Sequence, residues 1–140
     1  MAIYKSRKKG GSLSLVEPYG ILSGEGWYFN DSGVLRQDQS NSDKVVLVFR
    51  VRANHSYIFC WGGSKVGNVC TVALTTQDIY NSPLSGLSCT LCWSDTTKAD
   101  EYYAESVPDI VQDSYLGAYI ADDMGTNVEC YLIDITDIGA

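Results

Sequence analysis

The 140-residue chain has one histidine, ten basic residues against seventeen acidic ones, and no apolar run near the roughly 20 residues a membrane-crossing helix needs. Each scarcity narrows the field. Without a long apolar run there is no spanning helix, and a water-soluble chain with no membrane partner is expected. With only His55, lying in a turn and lacking a serine or cysteine nucleophile beside it in a recognisable motif, a catalytic triad has little to build on; a solvated turn histidine is the plainer reading. The N-terminus is basic, but Gly10 to Gly20 lacks the continuous apolar stretch and small-residue cleavage site of an export signal. The chain is therefore expected in the cytoplasm of its producer, or released within something larger. No apolar periodicity supports a helix of ten residues, and no segment repeats.

What is present begins with five cysteines, Cys60, Cys70, Cys89, Cys92 and Cys130, an odd count without an export signal. That argues against a disulfide framework and for buried free thiols in strands. Cys89-x-x-Cys92 has the spacing of half a zinc knuckle, but no second close pair completes it, and residues three apart in a regular strand point to opposite faces. No metal and no cofactor are expected. Paired carboxylates could serve a glycosidase, and Asp122-Asp123 are adjacent, yet among seventeen acids some pairing arises by chance. A solvated acidic face or a weak calcium loop accounts for them at least as well, so no catalytic residue is assigned and no enzyme is expected.

Charge divides the chain. Lys5, Arg7, Lys8 and Lys9 hold four of the ten basic residues with no acid among them, whereas from Asp95 onward eleven acids face Lys98 alone. A basic arm over residues 1–11, ending at the permissive Gly10-Gly11, thus precedes an acidic body over residues 12–140. An acidic body repels nucleic acid, so a protein neighbour, including a sister copy, is the better partner for the arm.

The body reads as strands throughout. Ser12–Val16 alternates polar and apolar, and Trp27–Phe29 is a short aromatic strand before the turn-forming Asn30-Asp31-Ser32-Gly33. Lys44–Arg52 carries Val45, Leu47, Phe49 and Val51 on one face and Lys44, Val46, Val48, Arg50 and Arg52 on the other. A hairpin into Ser56–Trp61 follows, then strands at Asn68–Leu74, Gly86–Trp93, Leu116–Ala121 and Val128–Ile135, with a long loop or helical turn over Ser94–Glu105. Seven or eight short strands with regular turn signals predict an all-β, two-sheet antiparallel sandwich of jelly-roll type, with an immunoglobulin-like sandwich second.

Ten tyrosines and three tryptophans supply candidate contact surfaces. An exposed ring buries area while its polar tip stays wet, which suits sugars and protein interfaces. Trp27, Tyr28 and Trp61 are the candidate sugar platform and Tyr102-Tyr103 the candidate interface pair, although a core role for at least two of the three tryptophans is favoured.

Asp43–Trp61 (DKVVLVFRVRANHSYIFCW) resembles a recurrent element of tailed-bacteriophage virion modules, in which a strand, a small turn and an aromatic strand build the edge of a jelly roll. A basic leader joined by glycines to a sandwich is likewise similar to phage capsid-decoration, head-fibre and tail-adhesin proteins. The resemblance implies a virion structural protein, an auxiliary or decoration subunit assembled in the host cytoplasm. It would bind capsid or sister subunits through Lys5, Arg7, Lys8, Lys9, Tyr102 and Tyr103, as a homo-oligomer for which trimers are common. Its alternative is an adhesin that binds cell-surface glycans through Trp27, Tyr28 and Trp61.

Overall fold

The computed structural model describes residues 8–9, 13–63, 69–96, 101–120 and 128–137. Among these there are twelve strands: β1 (Lys8–Lys9), β2 (Leu13–Val16), β3 (Gly20–Ser23), β4 (Trp27–Phe29), β5 (Leu35–Gln37), β6 (Val45–Val51), β7 (Tyr57–Gly63), β8 (Val69–Thr75), β9 (Thr90–Thr96), β10 (Glu101–Ser106), β11 (Ser114–Ile120) and β12 (Val128–Asp134). They form two five-stranded antiparallel sheets, β1-β2-β12-β7-β10 and β3-β6-β11-β8-β9, and a small β4-β5 ribbon. The chain crosses repeatedly between the two sheets, and its first long strand, β2, lies against its last, β12. This interleaving makes the expected all-β sandwich a jelly roll.

Period-two alternation explains why the sheets stack. On β6, Leu47, Phe49 and Val51 point into the space between the sheets, where they meet Phe59, Trp61 and Leu132 from the opposite sheet and Val72, Leu116 and Ile120 from their own. Val46 and Val48 point outward, yet they are also buried. The β4-β5 ribbon lies over them, placing Trp27, Phe29 and Leu35 in a second core with Ala73, Ile79 and Tyr119. The molecule therefore has three layers along this side. Gly117 makes the third layer fit: a Cβ there would stand 2.6 Å from the Phe29 ring.

Several sequence expectations change. Ser94–Glu105 is not a long loop or helical turn, because β9 runs on to Thr96 and Glu101–Ser106 forms the edge strand β10 on β7. Asp95 belongs to β9, and Glu101 and Glu105 belong to β10, a strand lying mostly in solvent, while Lys98 and Asp100 lie outside the described residues. Lys44–Arg52 and Ser56–Trp61 are not a hairpin, since β6 and β7 lie in different sheets, and each has neighbours on both sides. The segment that resembles a jelly-roll edge thus occupies central positions. Its turn is a corner, with Asn54 at φ 65°, Ala53 N donating to Asp113 Oδ1 (2.9 Å) and Asn54 N donating to the Ile110 carbonyl (2.7 Å). Asparagine tolerates that left-handed conformation better than most residues.

Candidate functional site

The β4-β5 turn is locally encoded. Asn30 Oδ1 accepts hydrogen bonds from the backbone N–H of Ser32 (2.9 Å) and Val34 (3.0 Å), and Gly33 takes φ +81°, where a side chain would be strained. This holds Asn30 and Asp31 at the margin of the ribbon while Trp27 and Phe29 anchor it below. Tyr28, half-buried between those anchors, reaches the neighbouring Tyr119 of β11 with ring centroids 5.8 Å apart.

Lys44, at the start of β6, completes the arrangement. Its Nζ stands 4.5 Å from the Tyr28 ring centroid and 5.6 Å from that of Tyr119, and donates to the Tyr119 hydroxyl at 3.2 Å. A cation so placed is attracted by both ring faces. Together with Phe29, Asn30, Asp31, Val69 and Thr71, these residues line a groove of about 340 Å³ on the outer face of the second sheet. The buried Thr71 hydroxyl is 2.9 Å from Ser94 Oγ. The groove presents the half-buried Tyr28 ring, one carboxylate and one ammonium above a floor of buried Tyr119 and Thr71, which is equipment for holding a polar ligand with an apolar face.

The sequence-predicted residues fall in different places. Tyr28 lines the groove. Trp27 and Trp61 are not a platform: they are 7% and 2% exposed, and neither ring can lie against a ligand at the surface. Trp61 instead stacks between Trp93 (5.6 Å) and Tyr103 (5.4 Å) in the core between the sheets. Tyr102 and Tyr103 do not form a joint surface, because neighbours in a strand point to opposite faces. Tyr103 packs inward on Trp61, whereas Tyr102 lies across Gly62 and is 67% exposed. Lys5 and Arg7 lie outside the described residues. Lys8 and Lys9 pair through their backbones with Ser14 and Leu13, so this part of the arm is a short edge strand.

Other chemistry-bearing residues have structural surroundings. His55 is not simply solvated, for its Nδ1 is 2.7 Å from Asp134 Oδ2 and its ring stacks on Tyr57. Burial pushes Asp134 up, but hydrogen bonds from Thr136 and His55 outweigh that and hold its carboxyl below the usual range. Cys89 packs on the outer core and Cys92 on the inner one, Cys92 being the extra residue of a β-bulge between Leu91 and Trp93 opposite Ala73 and Val72. Burial pushes the Cys89 thiol up to about 11 and that of Cys92 up to about 12, so both are protonated near neutrality. Asp122-Asp123 lie outside the described residues.

Lys44, Thr71 and Tyr119 were not singled out as site residues from sequence. A signal existed for two of them: Lys44 opens the outward-facing row of β6, and Tyr119 repeats Tyr115 at an even spacing along β11. What sequence did not show was the ribbon that closes over that row and turns a flat face into a groove.

No protein family matches the chain by sequence pattern, and no curated protein matches it. Among solved structures, it is similar to the C-terminal CBM6 of LamC, a marine laminarinase from Zobellia galactanivorans, at 8% identity, with a TM-score of 0.44 over 89% of this chain and 98% of that one. It is also similar to an isomalto-dextranase of Arthrobacter globiformis T6, complexed with panose, at 11% identity and a TM-score of 0.42; the match covers 91% of this chain and 23% of the dextranase. At such identities and scores neither assigns a family or a ligand to this chain.

Proposed function

We propose that the chain is a non-catalytic binding module that takes a carbohydrate in the groove of Tyr28, Lys44 and Tyr119. The carrying observation is the half-buried Tyr28 ring, fixed against Tyr119 and Lys44 and bordered by Asn30, Asp31 and Thr71. A sugar presents C–H faces that suit a tyrosine ring and hydroxyls that suit a carboxylate and an ammonium. Preorganisation favours binding, since the rings are already immobilised before a ligand arrives. The test is a glycan array with the wild-type chain and Tyr28→Ala. Saturable binding to at least one glycan, reduced about tenfold or more by the substitution, is expected of a central aromatic contact. An array without signal, or a signal that Tyr28→Ala leaves unchanged, defeats the proposal.

A second reading is supported by β1. The backbone of Lys8–Lys9 extends one edge of the first sheet, so these two residues of the basic arm lie at a sheet edge that a neighbouring subunit can meet. In that reading the chain is an auxiliary virion subunit bound to capsid or sister copies, and a sugar groove would serve host attachment. Deleting residues 1–11 should abolish or weaken its incorporation into particles; incorporation unchanged at every salt concentration counts against it.

A further inference from the structure

The outward-facing row of β6 starts at Lys44 and ends at Arg50, six residues and so about 20 Å away. At that far end the chain builds a second cation and tyrosine cluster, separate from the groove. The Arg50 guanidinium lies 3.9 Å from the ring centroid of Tyr19. Tyr19 is itself locked: its hydroxyl donates to Asp78 Oδ2 at 2.7 Å and accepts from Asn81 Nδ2, and its ring meets Tyr80 edge-on at 5.5 Å and Tyr115 at 5.7 Å. Tyr80 lies face-down on Gly20, where any Cβ would collide with the ring, and is 38% exposed.

Asp78 is the acid in this cluster, and it is engaged elsewhere. Oδ1 accepts from the backbone N–H of Tyr80 (3.1 Å) and Asn81 (3.0 Å), while Oδ2 accepts from Tyr19 and from the Asn81 amide (2.9 Å). Among the described residues no carboxylate lies within ion-pair distance of Arg50, the one such pair being His55 with Asp134. The result is an exposed guanidinium seated over the Tyr19 ring, with Tyr19 drawing on part of its N–H donors and the Tyr80 ring packed against Tyr19.

We infer that Arg50, Tyr19 and Tyr80 form a separate binding site for a carboxylate-bearing sugar of the uronic-acid class. A planar guanidinium recognises a carboxylate through charge-assisted hydrogen bonds, and the contact with Tyr19 restrains the group before a ligand arrives. The open side of Tyr80 offers a face for the sugar ring that carries the acid. An acidic peptide would use the guanidinium and leave that face unused, so the sugar fits the whole cluster better. This deepens the carbohydrate reading by naming a ligand class, at a place that the groove residues do not touch.

The experiment is calorimetric titration of the full chain with oligogalacturonate, a neutral malto-oligosaccharide and poly-glutamate. It uses the wild type, Arg50→Gln, Arg50→Lys, Tyr80→Ala and Tyr28→Ala, each checked for wild-type thermal unfolding. Oligogalacturonate is expected to bind and to weaken with salt. Arg50→Gln should cost tenfold or more, Arg50→Lys less, Tyr80→Ala severalfold and Tyr28→Ala nothing. No oligogalacturonate binding, binding that Arg50→Gln leaves intact, or Arg50-dependent binding of poly-glutamate at equal or higher affinity overturns the inference. Loss of Tyr28-dependent glycan binding with Arg50-dependent binding intact would remove the groove proposal alone, and the reverse would remove only this one.

Discussion

The two ends of one sheet face use the same ingredients to different effect. At the Lys44 end, the ribbon stands up beside the tyrosines and leaves a groove of about 340 Å³; at the Arg50 end, Tyr80 and Tyr115 both pack against Tyr19, and the guanidinium lies over the Tyr19 ring. The cations differ in kind as well. Lysine offers a compact ammonium on a flexible stem, which suits a groove where ligand hydroxyls come from several directions. Arginine offers a planar fork, which suits a single planar anion. The lesson is that neighbouring layers, more than the strand residues themselves, decide what an outward row can bind.

Removing the divider between the ends should have the largest effect. Phe29 is buried over Gly117 between the two clusters, so Phe29→Ala should cost about 3–5 kcal/mol and disturb both. Chemical denaturation measures the loss; a cost below about 1 kcal/mol would mean that the ribbon is not anchored as described. Gly20→Ala should cost about 1–3 kcal/mol through overpacking against Tyr80, while leaving Tyr28-dependent glycan binding intact. If both sites weaken equally, they are not separable. Lys44→Met keeps the stem and removes the charge, and should cost about 0.5–1 kcal/mol of stability, seen as a small fall in Tm, with a drop in groove binding only.

The smallest expected effect is one of pH. Burial pushes Asp78 up, but the hydrogen bonds from Asn81, Tyr19 and Tyr80 outweigh it and hold its carboxyl below the ordinary value of 3.8. A depressed carboxylate contributes stability that is present above its unfolded pKa and lost as pH falls through the folded value. The Tyr19 ring should therefore keep its packing from neutrality down to about pH 4 and loosen below that. Ring resonances of Tyr19 followed by NMR test this, and loosening already at pH 6 would contradict the assignment. Asp78→Asn should abolish the acid transition.

Much of this architecture was legible from alternation alone. Both faces of β6 read correctly, because Leu47, Phe49 and Val51 alternate with Val46, Val48 and Arg50, and the sandwich follows from such strands. The outward valines were the clue to a third layer, since two valines between Lys44 and Arg50 need covering. The β10 strand was missed because Glu101–Ser106 lies mostly in solvent and lacks an apolar face. The Asn54 corner was read as a hairpin because turn residues show where a chain bends and not which sheet it enters next. The core role favoured for at least two of the three tryptophans holds for Trp27 and Trp61, whereas their place in two different cores depends on layers that only long-range pairing creates.

That long-range pairing also has a consequence in time. Val16 on β2 finds its partner in Leu132 on β12, so one of the earliest strands to leave the ribosome must wait for one of the last. Until then its pairing groups stand open to other chains, and closure is slow because non-local contacts come with the loss of chain entropy first. The groove and the arginine patch sit on the other sheet, whose strand order β3-β6-β11-β8-β9 lacks β12. Nascent chains stalled before β12 should therefore aggregate through the first sheet while the strands of the other sheet are already made.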